Sequence, residues 1–226
     1  HRDLHSFPTR RSSDLSGYNH HRSNNGNGSA YLFDTATGSF LEKFVAPDGA
    51  VDDRFSKSVA LDGNLALIGA HGDDDKGTNS GSAYLFDTAT GSLLQQFFAP
   101  DGAAGDSFGF SLALDGNRAL IAAFRDDDNG HNSGSAYLFD AATGSLMQKF
   151  TAPDNKRVDL FGTSVALDGD LALIPSYADD DNGFDSGSAY LFYYSQPTPE
   201  SVPEPSFVFG FGVVGALAAA LRRKKK

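Results

Sequence analysis

The chain has 226 residues, no cysteine, no tryptophan and a formal net charge of −11. The first fifteen residues carry +1 and the last five +5, so the body between them stands at −17; that acidity excludes the basic footprint of a nucleic-acid binder and suits a soluble surface or cation binding. Without cysteine there is neither a disulfide framework nor a thiol catalyst, while export is left open.

Residues 1–15, HRDLHSFPTRRSSDL, match nothing downstream and lack the apolar core of a signal peptide. They resemble one reading frame of a short-read sequencing adapter and are set aside from fold reasoning. From there the chain repeats with a period of 53 residues. S-A-Y-L-F-D opens at Ser29, Ser82 and Ser135 and returns as S-A-Y-L-F-Y at Ser188. The motifs A-P-D (Ala46, Ala99, Ala152) and L-D-G (Leu61, Leu114, Leu167) keep the same spacing. Each unit must therefore be one supersecondary block that buries its faces against its neighbours.

In the unit that starts at Phe108, F-G-F-S-L-A-L (108–114) reads as a strand and D-G-N (115–117) as a hairpin turn. R-A-L-I-A-A-F (118–124) is the second strand, followed by the polar loop 126–134. S-A-Y-L-F-D (135–140) and S-L-M-Q-K-F (145–150) are the third and fourth. The second and third strands are apolar on both faces, so their sheet must be covered on both sides. Four-stranded sheets stacked around an axis satisfy this, which makes the expected fold class all-β, a β-propeller fragment of 53-residue blades. A β-solenoid is the rival, although its turns are shorter and lack regular Asp-Gly hairpins. Three full units (28–80, 81–133, 134–186) fall below the four blades of the smallest propellers, so an open arc with missing blades is expected. Its blades would run from Phe55 to Phe98, Phe108 to Phe150 and Phe161 to Tyr194. The last would have three strands, its fourth supplied in the intact protein by the N-terminal end of the chain.

These residues resemble FG-GAP repeats, the blades of integrin-α-like β-propellers, over residues 16–194. The F-G pair stands at Phe108-Gly109 and Phe161-Gly162, with Phe55-Ser56 in the earlier unit. The G-A-P element is eroded to Gly69-Ala70-His71, Ala122-Ala123-Phe124 and Pro175-Ser176-Tyr177. The resemblance implies a calcium loop between the first two strands, but only Asp62-Gly63-Asn64, Asp115-Gly116-Asn117 and Asp168-Gly169-Asp170 stand there, too few oxygens for calcium. Acidity is found instead in the following loop, at Asp73, Asp74, Asp75, at Asp126, Asp127, Asp128 and at Asp179, Asp180, Asp181. Calcium is the candidate cofactor at these nine residues, with Asn79 or Asn132 adding oxygens. The alternative is a solvated loop whose aspartates cap turns. His71 and His131 have no ligand or triad partner at a usual spacing and read as surface-loop residues. Ser58, Ser111 and Ser164 lack a G-x-S-x-G context and read as strand residues.

After Tyr194 comes a proline-rich spacer (195–205), then an apolar stretch (207–221) and five basic residues. Fifteen helical residues span about 22 Å against a hydrocarbon core of about 30 Å, with the basic flank able to snorkel. Val202, Pro203, Glu204 and Pro205, followed by a hydrophobic segment (206–226) with Arg222 and Arg223, resemble a PEP-CTERM sorting signal. That resemblance implies a Gram-negative bacterium, export, transient anchoring in the inner membrane through the C-terminal helix, and processing by an exosortase-like enzyme. Extracellular polysaccharide or a surface protein is the expected partner, and nucleic acid is not. The leading function is a non-catalytic surface or matrix scaffold, because so faithful a repeat disfavours the asymmetry of an active site. The alternatives are a polysaccharide-acting enzyme whose site lies in missing blades, and a plain structural spacer.

Overall fold

The computed structural model describes residues 28–154, 157–181 and 183–194, and among them every helix or strand is a β-strand. The first unit contributes β1 (Ala30–Phe33) and β2 (Phe40–Phe44). Then come β3 (Phe55–Asp62), β4 (Leu65–Ala70), β5 (Ser82–Asp87) and β6 (Leu93–Phe97). The third set is β7 (Phe108–Asp115), β8 (Arg118–Ala123), β9 (Ser135–Asp140) and β10 (Leu146–Phe150), and the last is β11 (Ala166–Asp168), β12 (Leu171–Ser176) and β13 (Ser188–Tyr193). Each set is one antiparallel meander, in the orders β1-β2, β3-β4-β5-β6, β7-β8-β9-β10 and β11-β12-β13. We refer to the last three sets as the first, second and third repeats.

Local chemistry explains the meander. Gly63 is the first residue of the two-residue β3–β4 turn, and its φ of +54° gives the twist that right-handed strands need. The β5–β6 turn is held by Asp87, whose Oδ1 accepts the amides of Ala89 (2.8 Å) and Thr90 (2.9 Å). Asp34 and Asp140 do the same in their units.

The core lies between sheets, not within them. Leu67, Ala83, Leu85 and Phe97 of the first repeat pack on Phe108, Ile121, Tyr137 and Phe139 of the second. Leu120, Ala136, Leu138 and Phe150 pack in the same way on Phe161, Ile174, Tyr190 and Phe192 of the third. Aromatic pairs recur at each seam, with Phe97–Phe139 at 5.2 Å and Phe150–Phe192 at 4.9 Å between ring centroids. Two-sided burial of β4, β5, β8 and β9 is thus met by stacking four-stranded antiparallel sheets, as consecutive propeller blades do. Every ladder between strands is antiparallel, unlike the parallel coil-to-coil pairing of a β-helix.

Backbone bonds close the seams. Ser107 and Phe108 donate their amides to the carbonyls of Asn79 (3.0 Å) and Ser80 (2.9 Å), and Leu160 and Phe161 do so to Asn132 (3.1 Å) and Ser133 (3.0 Å). Gly81 (φ +83°) and Gly134 (φ +82°) allow this approach. A Cβ there would stand 2.1 Å from the Phe108 carbonyl oxygen and 2.2 Å from that of Phe161.

The third repeat departs from the expectation that its first strand begins at Phe161. Phe161 forms a single bridge to Ser176, and β11 covers only Ala166–Asp168. In the other repeats the first strand is tied forward: the hydroxyls of Ser58 and Ser111 donate to the carbonyls of Gly109 (2.6 Å) and Gly162 (2.7 Å) in the next repeat. Among the described residues Ser164 has no following repeat to hold it. The segments read as adapter, proline spacer, sorting motif and C-terminal helix lie outside the described residues; among those described, no helix is long and apolar enough to cross a membrane.

Candidate functional site: the acidic seams

The acidic loop after β4, β8 and β12 separates its three consecutive aspartates into three roles. The first is buried. Asp73 Oδ1 accepts the Asp75 amide (2.8 Å), and its Oδ2 accepts the hydroxyls of Ser82 (2.6 Å) and Tyr84 (2.8 Å). Asp126 accepts the Asp128 amide (2.9 Å) and the Tyr137 hydroxyl (2.5 Å); Asp179 accepts the Asp181 amide (2.9 Å) and the Tyr190 hydroxyl (2.6 Å). The middle aspartate closes the loop. Asp74, Asp127 and Asp180 each accept one amide, from Asn79 (2.6 Å), Asn132 (2.6 Å) and Asp185 (2.7 Å). Those three donors all have positive φ, between +50° and +52°.

The third aspartate joins a partner absent from the sequence reading, the aspartate of A-P-D. Asp101, Asp126 and Asp128 place carboxylate oxygens within 4.8 Å of one another, as do Asp154, Asp179 and Asp181. Asp101 comes from the loop after β6 and Asp126 and Asp128 from the second repeat, so the cluster spans a seam. Asn79 and Asn132, expected to add oxygens for a cation, instead donate backbone amides. The three consecutive aspartates therefore do not converge on one point, as a calcium shell would require.

What fills the cluster differs between repeats. In the second, Lys149 Nζ stands 2.7 Å from Asp101, 3.2 Å from Asp126 and 2.6 Å from Asp128, and 5.0 Å from the centroid of the Tyr137 ring. An ammonium already occupies the position a metal ion would need. In the first repeat Gln96, at the equivalent place, donates to Asp48 (3.0 Å) and the Tyr84 hydroxyl (3.2 Å) and reaches Asp75 at 3.5 Å. The exchange alters the neighbouring serine. Ser82 Oγ bonds Asp73, whereas Ser135 Oγ is buried and without a hydrogen-bond partner beside the lysine-filled cluster.

Electrostatics follow the occupant. Burial pushes the Asp75 carboxyl above its usual range, and Asp73 and Asp48 add to this. Burial would raise Asp101 too, but its bonds to Lys149 and Tyr137 outweigh this and hold it below. Lys149 is held above the usual amine range because Asp101, Asp128 and Asp126 outweigh the cost of burial. Burial first, then the facing aspartates, keep Tyr137 and Tyr190 protonated far above the ordinary phenol range. Asp106 is buried under the A-P-D turn and accepts the Ala103 amide (2.6 Å). Burial, followed by the charges of Asp126, Asp127 and Asp128, pushes it up to about 6 against the relief of that bond.

The Asp-Gly hairpins form as read and take on a second role, whereas the reading of His71 is corrected. The Asp-Gly hairpins are ties between repeats: Asp62 Oδ2 accepts the Gly116 amide and Asp115 Oδ2 the Gly169 amide, both at 2.5 Å. His71 is buried, not on a surface loop. It packs edge-on against Phe110 at 5.3 Å, and burial together with Arg54 lowers it to about 4. His131 is exposed.

The crystal structure of the computationally designed Ika4 protein aligns with 82% of this chain and 100% of its own, at 16% identity and a TM-score of 0.48. No curated protein matches the chain. The FG-GAP repeat model matches residues 39–86, 92–139 and 145–192, each match running from a fourth strand through the third strand of the next repeat. Those matches take in well over half of the sequence, and the chain belongs to the FG-GAP repeat family.

Proposed function

We propose that the chain is a non-catalytic binding, adhesion or scaffolding protein of the propeller type, exported to the cell surface or matrix and sorted there by its PEP-CTERM-like tail. The observation that carries this reading is the even distribution of its polar chemistry. Every described repeat builds the same set of buried aspartate, tyrosine hydroxyl and loop aspartate across a seam. These groups bond one another and the backbone, which suits a rigid platform more than a reaction centre. In this reading an exosortase-like enzyme processes the tail near Val202, Pro203, Glu204 and Pro205, and the partner is an extracellular polysaccharide or surface protein.

The test presents the full chain to an array of bacterial surface polysaccharides and, in parallel, incubates it with the same glycans. Retention on a subset of them with no change in chain length supports the scaffold. Released oligosaccharides or unsaturated ends would establish the polysaccharide-acting enzyme instead.

A further inference from the structure

The repeats share a frame at one end of their sheets, where β3 and β7 begin and β4 and β8 end. There the amides of Gly72, Arg125 and Ala178 donate to the carbonyls of Asp53 (3.0 Å), Asp106 (3.3 Å) and Asp159 (3.1 Å). The side chains on this frame differ. One period apart stand Arg54, Ser107 and Leu160, then Lys57, Phe110 and Thr163, then His71, Phe124 and Tyr177. Variable side chains on a fixed frame are where recognition is commonly placed. At the seam between the first and second repeats the variation gathers cations. Arg54, Lys57 and Arg125 are all exposed, and among the described residues none of them forms an ion pair, although the body of the chain is strongly acidic.

Buried His71 shows what this patch lacks. Arg54 Nη1 stands 3.3 Å from His71 Nε2. A guanidinium only donates, so Nε2 accepts and the neutral ring carries its proton on Nδ1. That N–H is buried and has no hydrogen-bond partner. Burial first, then the charges of Arg54, Lys57 and Arg125, keep the ring neutral. A row of rings joins Arg125 to the same patch: Phe110 packs on His71 at 5.3 Å, Phe124 lies 4.2 Å from Phe110, and the Arg125 guanidinium stands 5.0 Å from the Phe124 centroid. Donors and positive charge are assembled here without an acceptor.

We propose that this patch binds the carboxylate of a uronic acid unit in an extracellular polysaccharide, with Arg54 and Arg125 as the donors and Lys57 as a supporting charge. The inference rests on the polysaccharide-binding reading above and names its sugar class. A planar guanidinium fork matches a carboxylate. The exposure of all three cations suits one unit of a long chain more than an enclosed small molecule. The acidity of the rest of the body repels a dense polyanion, so the glycan carries its carboxylates singly among neutral sugars.

The probes are an oligosaccharide ending in glucuronic acid and the same oligosaccharide ending in glucose, each titrated into the full chain by calorimetry and NMR. Saturable binding of the acidic sugar is expected, with shifts of the His71 ring and of the Arg54 and Arg125 side chains. The neutral sugar should bind about tenfold more weakly, the worth of one charge-assisted hydrogen bond. Arg54→Gln/Arg125→Gln protein should bind the two sugars alike, with an unchanged melting temperature. Lys57→Glu, a single change at an exposed site, should weaken the acidic sugar alone. Equal binding of the two sugars by the unaltered chain, or shifts confined to the seam around Lys149, would overturn the patch and leave the scaffold reading standing. A glutamate-containing peptide that binds as tightly as the acidic sugar would overturn the choice of a polysaccharide. No binding of either sugar, by a chain that the polysaccharide array also fails to retain, would overturn both readings.

Discussion

The first and second repeats share a backbone plan and differ in one central side chain. Gln96 and Lys149 occupy the same place, each opposite the tyrosine of its neighbouring strand. Around the glutamine, burial and neighbouring carboxylates raise Asp75; around the lysine, Asp101 is held down. The seam thus tolerates either a neutral or a cationic bridge because backbone bonds and aromatic packing hold the repeats together independently. Geometry is common property of the repeats, and charge balance is set by a single residue.

The common part gives the largest effect. Gly81→Ala and Gly134→Ala each force a Cβ against a carbonyl of the next repeat at a positive φ. Each should cost about 3 kcal/mol or more, with similar losses at the two seams. Urea unfolding of the two variants checks this, and a loss at one seam only would break the claim of shared geometry.

Exchange of the central residue should have a smaller effect, of opposite sign in the first and second repeats. Lys149→Gln should destabilise by about 1 kcal/mol at pH 7, a figure discounted for partial exposure of the cluster. Gln96→Lys should stabilise by a similar or smaller amount. The dependence on pH follows from Asp101. Its folded carboxyl lies below its unfolded value, so its contribution is present above the unfolded pKa and is lost as acid protonates the folded group. The penalty of Lys149→Gln should therefore shrink below about pH 4, the ordinary carboxylate range. A penalty independent of pH would assign the lysine's effect to packing.

An effect no larger is expected at Asp106, whose folded carboxyl lies near 6, above its unfolded value. The folded state holds that proton more tightly, so stability falls as pH rises from about 4 to 6 and the cost is complete above. Asp106→Asn retains an acceptor for the Ala103 amide. It should gain about 1 kcal/mol at pH 7 and nothing at pH 4, as thermal melts at the two values can show. A gain that persists at pH 4 would place the effect in the turn instead.

Local signals made the strands legible. Asp-Gly between apolar runs marked the β3–β4 and β7–β8 hairpins, and two-sided apolar runs marked β4, β5, β8 and β9. The acidic loops were legible as loops but not as a site. Their spacing suggested three carboxylates acting together, whereas neighbouring side chains diverge and the middle one turns to the backbone. Asp101 and Lys149 escaped notice because their meeting depends on how one sheet stacks on the next, which no local pattern encodes. A faint signal existed: Lys149 lies 48 residues after Asp101, and Ser58 bonds a carbonyl 51 residues ahead, both separations near the period. The shortened β11 was hidden for the same reason, since the first strands of the other repeats are tied to a repeat that follows.

The ties between consecutive repeats recur one 53-residue period apart along the chain. Ser58 reaches forward to Gly109, Asp62 reaches forward to Gly116, and the loop carbonyl of Ser80 receives Phe108. Duplicating or excising a whole period at any point would leave each of these bonds with a matching partner. A deletion that removes part of a strand would instead leave its seam partners in the adjacent repeat unmatched, while the repeats beyond keep theirs. The gene can therefore change the number of its repeats by recombination between copies without inventing a new interface, and length changes are best tolerated in the loops away from the seams.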